Sequence, residues 1–475
     1  MLVSILIAIC NQVLLLLALG GLRPGHARAA GAPSTSGSNV HSVIQDGWLP
    51  QSLSLGSLNL APLTITPTID TEFDAFGEIN NGWGGTFKPP LEESHQFFEN
   101  SLEPGLTGDL ALGDYGRLEG RVSGVFAMVG GGLNAAATNY GDLQGRDFSI
   151  DDGYGKWTSG NLFPLLGVDA ITVIGGRYTY QIGDGFLFYN GNQGGGDDVA
   201  VWLSPHHSFK ETGIVSLNSH GLLLEGFYLS PNDHPDSHTQ LAGVNTELRT
   251  FEAMRVGLTY ANIFHSDTPQ RHGLNLIYAR AEGAIIPQIK DFYLSSSFAA
   301  ESNGDKVSGA YGWYLTPSYT FAQLRWQPTI YYRYASFSGG GHDGNRNFDP
   351  LFYGMSDWGT WYQGEILGNW ITTNTNLNSH QIRLNLVAND QFNINLIYYH
   401  FMLDSHSQTM RSAPVRPITS TDLADEVNII ADFNLTNWWT MALMFAVDVP
   451  GRAAREITGG NRTWVQPSIW TGWNF

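Results

Sequence analysis

The chain has 475 residues, with 59 aromatic side chains (25 Phe, 20 Tyr, 14 Trp) and 56 glycines, yet only 14% of its residues are charged. A net charge of −19 argues against nucleic acid as a partner, and a mean hydropathy of −0.13 excludes a bundle of membrane-spanning helices. It does not exclude a transmembrane β-barrel, whose lipid-facing and lumen-facing residues alternate and cancel in any average.

In chain order, Ile5 to Leu19 is largely apolar and Ala27-Arg28-Ala29 offers a small-x-small cleavage site, so residues 1–29 read as a secretory signal. Loss of its two arginines, Arg23 and Arg28, would take the net charge from −19 to −21. The single cysteine, Cys10, lies inside this segment, with Ile9 before it where a lipidation site needs a small residue. The mature chain is therefore expected to lack disulfides, thiol chemistry and cysteine metal sites. Residues 30–69 are rich in Ser, Gly, Pro, Asn and Thr and read as a loosely ordered lead-in. The ordered domain is expected from Asp70 to Phe475.

From there the pattern is of short alternating strands broken by Gly, Asn, Asp and Pro, with at most a helical turn near Glu92 to Glu99. In Arg117 to Ser123, alternation sets Arg117, Glu119, Arg121 and Ser123 against Leu118, Gly120 and Val122. Gln381 to Asn389 sets Gln381, Arg383, Asn385 and Asn389 against Ile382, Leu384, Leu386 and Ala388. A tight turn, Ala388-Asn389-Asp390-Gln391, leads to Phe392, Ile394, Leu396 and Tyr398 opposite Asn393, Asn395 and Tyr399. Trp439, Met441, Leu443, Phe445, Val447 and Val449 form another apolar face opposite Thr440, Ala442, Ala446 and Asp448. The last twelve residues place Val465, Pro467, Ile469, Thr471, Trp473 and Phe475 on one side, and Trp464, Gln466, Ser468, Trp470, Gly472 and Asn474 on the other. Long polar connections at 190–198, 339–349 and 405–424 alternate with tight turns. Strands with one apolar face, long connections at one end and short turns at the other fit an outer-membrane barrel of about 16 to 20 strands. A soluble sandwich would need more continuously apolar strands to fill its core.

Three stretches resemble the alginate export porin family. Gly176-Arg177-Tyr178-Thr179-Tyr180-Gln181-Ile182-Gly183-Asp184-Gly185-Phe186-Leu187 is similar to a Gly-Arg-Gln strand followed by Gly-Asp-Gly, with Tyr178 at the Gln position. The span from Ala310 to Asp349 contains Gly312-Trp313-Tyr314, Trp326-Gln327-Pro328 and Tyr332-Arg333-Tyr334-Ala335, and is followed by Pro350-Leu351-Phe352. Asp425-Glu426-Val427-Asn428 is similar to the acidic entry of a late strand, and Leu241 to Asn245 adds to the likeness. The resemblance implies an all-β, single transmembrane antiparallel barrel of 18 strands, monomeric, with a polar charge-lined lumen. It also implies passive passage of a linear, often anionic, polysaccharide, received from periplasmic secretion components.

Diffusive selectivity needs charged rings and hydrogen-bonding side chains rather than a catalytic set. The expected lumen-facing groups are Arg117, Arg121, Arg177, Arg333 and Arg383, with Tyr399 placed to stack on sugar rings. Arg suits uronate carboxylates because its planar fork binds them through two hydrogen bonds. The same arginines could instead brace the wall by pairing with lumenal acids, for which Glu119, Asp184, Asp425 and Glu426 are the candidates. Asp197 and Asp198 lack the spacing of a calcium loop. His206, His207, His220, His234 and His238 lack a metal-binding frame. Adjacent His207-Ser208 and Ser379-His380 point to opposite sides of a strand, which hinders a catalytic relay. The expectation is a non-enzymatic porin without cofactor or metal, surrounded by outer-membrane lipid, with uptake of sugars or small organic acids as the alternative to polysaccharide export.

Overall fold

A computed structural model describes residues 56–85, 94–131, 146–189, 191, 203, 205–233, 236–250, 254–286, 288–354, 363–407 and 414–475. The expected signal segment and Cys10 lie outside these residues, as do loop 190–198 apart from Gly191, and residues 408–413 of the 405–424 connection.

The long strands are β2 (Leu63–Ile79), β3 (Ser94–Ala111), β4 (Arg117–Gly131), β5 (Arg146–Thr158), β6 (Ile171–Tyr178), β7 (Phe209–Ser219), β8 (Leu222–Ser230), β9 (Gln240–Thr250), β10 (Met254–His265), β11 (Asn275–Gly283), β12 (Phe292–Asn303), β13 (Val307–Thr320), β14 (Thr329–Phe337), β15 (Leu377–Asn389), β16 (Phe392–Leu403), β17 (Asp422–Thr436), β18 (Trp439–Pro450) and β19 (Trp464–Asn474). Each pairs antiparallel with its sequence neighbours, and β19 pairs back with β2, so these eighteen strands close on themselves. A three-residue strand, β1 (Leu58–Leu60), pairs with the start of β2. β2 thus begins at Leu63, seven residues before the expected boundary at Asp70, and residues 58–69 belong to the ordered domain.

Closure is complete at the seam. The Phe475 N–H donates to the Ile69 carbonyl at 2.7 Å and the Ile69 N–H donates to the Phe475 carbonyl at 2.8 Å. An open edge in hydrocarbon would leave both groups unsatisfied, at several kcal/mol each. Alternation along each strand then divides the side chains between lipid and lumen. On β17, Val427 and Ile429 are exposed while Glu426, Asn428 and Ile430 are buried. On β15, Ile382 is exposed while Ser379, Gln381, Arg383 and Asn385 are buried. A band of outward Leu, Val, Ile and Phe side chains encircles the wall, including Leu106, Val122, Phe126, Leu258, Ile277, Ile330 and Phe445.

The lumen is far from empty. Residues 179–189, which follow β6, fold inward and bury Tyr180, Ile182, Phe186, Leu187 and Phe188. The long connection between β14 and β15 enters beside them. The Phe352 N–H donates to the Leu187 carbonyl at 3.0 Å and the Tyr189 N–H to the Phe352 carbonyl at 2.9 Å. Further along that connection, Gly364–Ile371 forms a π-helical stretch with every residue buried. Its Trp370 ring stands edge-on to Phe76 at 6.5 Å and to Phe97 at 6.2 Å, both on the lumenal wall. A short helix, α1 (Arg452–Thr458), covers the long-connection rim between β18 and β19.

The lipid belt yields a direct prediction. Ile429→Arg places a guanidinium at the middle of the outer face of β17 and is expected to destabilise the barrel by about 2–4 kcal/mol, read by denaturant unfolding in lipid vesicles.

Candidate functional site

Most of the charged residues expected in the lumen are there, and their partners separate them into two groups. Near the short-turn end, Arg121 donates to Asp152 at 2.7 Å, Thr68 at 3.1 Å and Glu103 at 3.4 Å. A register shift opposite Ser123 turns both Asp151 and Asp152 inward, which makes this cage possible. Arg117 lies half-exposed, 3.5 Å from both Asp109 and Glu119. Glu119 also accepts from the Tyr154 hydroxyl at 2.9 Å and lies 3.7 Å from Lys156. These two arginines brace the wall.

The second group forms a lane along β11 to β15. Arg333 donates from Nε to Thr316 Oγ1 at 2.7 Å and lies 4.5 Å from the Tyr314 ring centre. Arg383 donates from Nε to Asn395 Oδ1 at 2.7 Å and lies 4.9 Å from the Tyr331 ring centre. Arg280, which sequence reading did not single out, belongs to the same lane. It donates to Asn245 at 2.9 Å, Thr259 at 3.2 Å and Glu247 at 3.3 Å, and lies 5.5 Å from the Tyr278 ring centre. Two glycines make its slot. A Cβ on Gly257 would stand 2.2 Å from Arg280 Cζ, and one on Gly183 would stand 2.7 Å from Cδ. Gly183 (φ +60°) belongs to the inward segment, so that segment lies directly over the guanidinium. Three guanidiniums, each over a tyrosine ring, make a row of planar cationic groups; such pairs contribute about 0.5–2 kcal/mol each.

Asp184 heads this lane. It accepts from the Tyr278 hydroxyl at 3.3 Å, from the Tyr314 hydroxyl and from the Phe186 N–H at 3.2 Å. Glu426 is lumenal but serves the fold. Its carboxylate accepts from the N–H groups of Leu367 at 2.9 Å and Ile366 at 3.0 Å, which fixes the π-helical stretch in place. Buried carboxylates of Asp74, Glu78, Glu99 and Asp448 share that wall with Glu426, away from the arginine lane. Tyr399 is lumenal but buried, stacked on Phe401 at 5.2 Å.

Two expected lumenal residues face outward. Asp425 precedes inward-facing Glu426, so alternation sends it to the lipid side, where it accepts from the Tyr398 hydroxyl at 2.6 Å and pairs with His400 at 2.9 Å. Arg177 pairs across strands with Gly153, itself opposite outward Val122, so it also points out, and its Nε donates to the Asp151 carbonyl at 3.2 Å. Alternation along β6 sends Val173, Gly175 and Arg177 outward and Ile174, Gly176 and Tyr178 inward, so Tyr178 rather than Arg177 lies against lumenal Tyr154, at 4.8 Å. The inward segments themselves left a trace in the sequence. Phe186-Leu187-Phe188-Tyr189 is an unalternated apolar run, and Ile366, Leu367, Trp370 and Ile371 are apolar within a long connection.

This arrangement, a closed wall with an apolar outside, a charged inside and inward-folded connections, defines an outer-membrane porin. Residues 218–466 match the alginate export family over more than half of the chain, and the chain belongs to that family. It is a passive channel rather than an enzyme. No curated protein sequence is significantly similar. Among solved structures, OpdQ of Pseudomonas aeruginosa is similar at 9% identity and a TM-score of 0.55, covering 86% of this chain and 97% of that one. OccAB4 of Acinetobacter baumannii is similar at 10% identity and a TM-score of 0.54, covering 86% and 97%. OpdK of Pseudomonas aeruginosa, solved with vanillate, gives 11% identity and a TM-score of 0.53, covering 86% and 98%. These likenesses establish the shared barrel fold.

His207 makes the inward packing pH-dependent. Burial, reinforced by neighbouring His206, pushes its imidazole down from 6.5 to about 4. Its ring lies 5.1 Å from Tyr189 of the inward segment. Between pH 6.5 and 4 an undocked segment would take up a proton that the docked one refuses, so docking weakens as pH falls through that window. Single-channel current noise is expected to rise over the same range in the wild-type protein, and to rise much less in His207→Asn.

Proposed function

We propose that this porin passes a linear polysaccharide bearing carboxylates, which slides along the arginine lane. The supporting observation is that Arg280 on β11, Arg333 on β14 and Arg383 on β15 all face the lumen, each guanidinium within 5.5 Å of a tyrosine ring centre. Arginine's planar fork matches a carboxylate through two hydrogen bonds, so on this reading successive uronate units pass from one arginine to the next. Binding at several moderate sites, rather than one tight site, suits conduction. On this reading the barrel acts as a monomer that accepts polymer from periplasmic secretion components. Arg117 and Arg121 contribute to the wall rather than to cargo.

A second reading, passage of small organic acids, draws support from the inward segments that narrow the lumen around Phe186, Phe352 and Trp370. OpdK, of the same fold, was solved with an aromatic carboxylate.

Planar-bilayer recordings separate the two. Oligouronates of increasing length are expected to block the current, with residence time growing with length, while neutral glucose oligomers block weakly. Charge-assisted hydrogen bonds contribute about 1.5–3 kcal/mol each, so each Arg→Ala change in the lane is expected to weaken block by about tenfold or more. Absence of block by any oligouronate, together with measurable permeation of benzoate-like anions, would overturn the polymer reading in favour of small acids.

A further inference from the structure

The outward face carries a feature that passage through the lumen does not use. Across four adjacent strands, β13 to β16, a row of rings lies on the membrane side. Trp313 lies 5.3 Å from Tyr334, Tyr334 lies 4.9 Å from His380, and His380 lies 6.4 Å from His400 with nearly parallel planes. The register confirms that the row is outward. Tyr334 pairs with exposed Leu315, and the next residues along the same faces, Tyr332, Ile382 and Tyr398, pair with one another and are exposed. On β17 the row ends at Asp425, opposite exposed Val449.

The row is bonded from within. His380 Nδ1 lies 2.8 Å from the Tyr332 hydroxyl, and His400 Nδ1 donates to Asp425 at 2.9 Å while Tyr398 donates to the same oxygen at 2.6 Å. Each imidazole therefore spends Nδ1 inside the row, and among the described residues none bonds its Nε2. Interfacial girdles ordinarily hold Tyr and Trp. A carboxylate and two imidazoles added to a face otherwise built of Leu, Val, Ile and Phe are unfavourable against acyl chains and need a hydrogen-bonding neighbour.

The depth of the row says what that neighbour can be. Counting from the short-turn ends, His400 is the ninth residue of β16 (from Phe392) and His380 the tenth from Asn389 on β15. About 9–11 residues of tilted strand cross the hydrocarbon, so the row sits at its outer edge, level with the headgroups of the outer leaflet. Four flat rings on strands about 4.8 Å apart span the width of about two sugar rings. Aromatic faces beside hydroxyl-binding His and Asp groups are the chemistry of sugar recognition.

We propose that this row binds the sugar headgroup of an outer-leaflet glycolipid, with Trp313 and Tyr334 stacking on pyranose faces and His380, His400 and Asp425 bonding the hydroxyls. The full-length protein, purified in mild detergent, is melted with a deep-rough lipopolysaccharide, whose head is a phosphorylated glucosamine disaccharide, and separately with phosphatidylethanolamine. The glycolipid is expected to raise Tm by several degrees and phosphatidylethanolamine to leave it unchanged. His380→Ala/His400→Ala, and independently Trp313→Ala, should lose most of the shift with single-channel conductance unaltered, since none of these side chains reaches the lumen. An equal shift with phosphatidylethanolamine, or a full glycolipid shift in both variants, overturns the proposal. So does an oligomer of the wild-type chain that falls apart in the variants, which would make the row a contact between copies.

Discussion

Everything in this molecule depends on the two main-chain hydrogen bonds between Ile69 and Phe475 and the seam they begin. Hydrocarbon offers no partner for a free N–H or C=O, so the sheet can stay in the membrane only as a ring. Once the ring is shut, every strand has one side towards lipid and one towards an enclosed space. The alternation of side chains, which in a soluble sheet separates core from water, here separates acyl chains from a pore.

The enclosed space is wide enough that the protein fills part of it. Three connections enter from the long-connection end, and each is held by polar groups that the wall provides. Glu426 accepts main-chain N–H groups of the π-helical stretch. Asp184 is held by the hydroxyls of Tyr278 and Tyr314. Trp83, between β2 and β3, donates its indole N–H to Asp448. An apolar cluster around Phe186, Phe348, Phe352 and Trp370 gives these segments the burial that polar contacts alone would not. On the proposed reading the cargo passes beside Arg280, Arg333 and Arg383, and the same packing that narrows the pore then sets which charges it meets.

The neighbouring acids Asp425 and Glu426 show how sharply the ring divides chemistry. Glu426 orders an inward segment, while Asp425, one residue earlier, joins a row of rings on the membrane side. A one-residue step along a strand moves a carboxylate from the pore to the outer leaflet. Arg177 makes the complementary case, because alternation along β6 sends it outward with Val173 and leaves its neighbour Tyr178 facing in.

What the sequence determined by itself was the period. Val-Ile-Leu-Phe positions two apart at Trp439 to Val449, and Trp473 and Phe475 at the end of an alternating run, suffice to specify one-faced strands and hence a barrel wall. They also specify the inward faces of Arg121, Arg333 and Arg383, whose strands run regularly. The tertiary structure decided the rest. Whether an arginine braces or lines the path depends on carboxylates brought from other strands, as Asp152 and Glu103 are to Arg121. The slot for Arg280 needs Gly257 on one strand and Gly183 on an inward segment, 74 positions apart. Such contacts come from register and closure, which a local pattern of alternation does not encode.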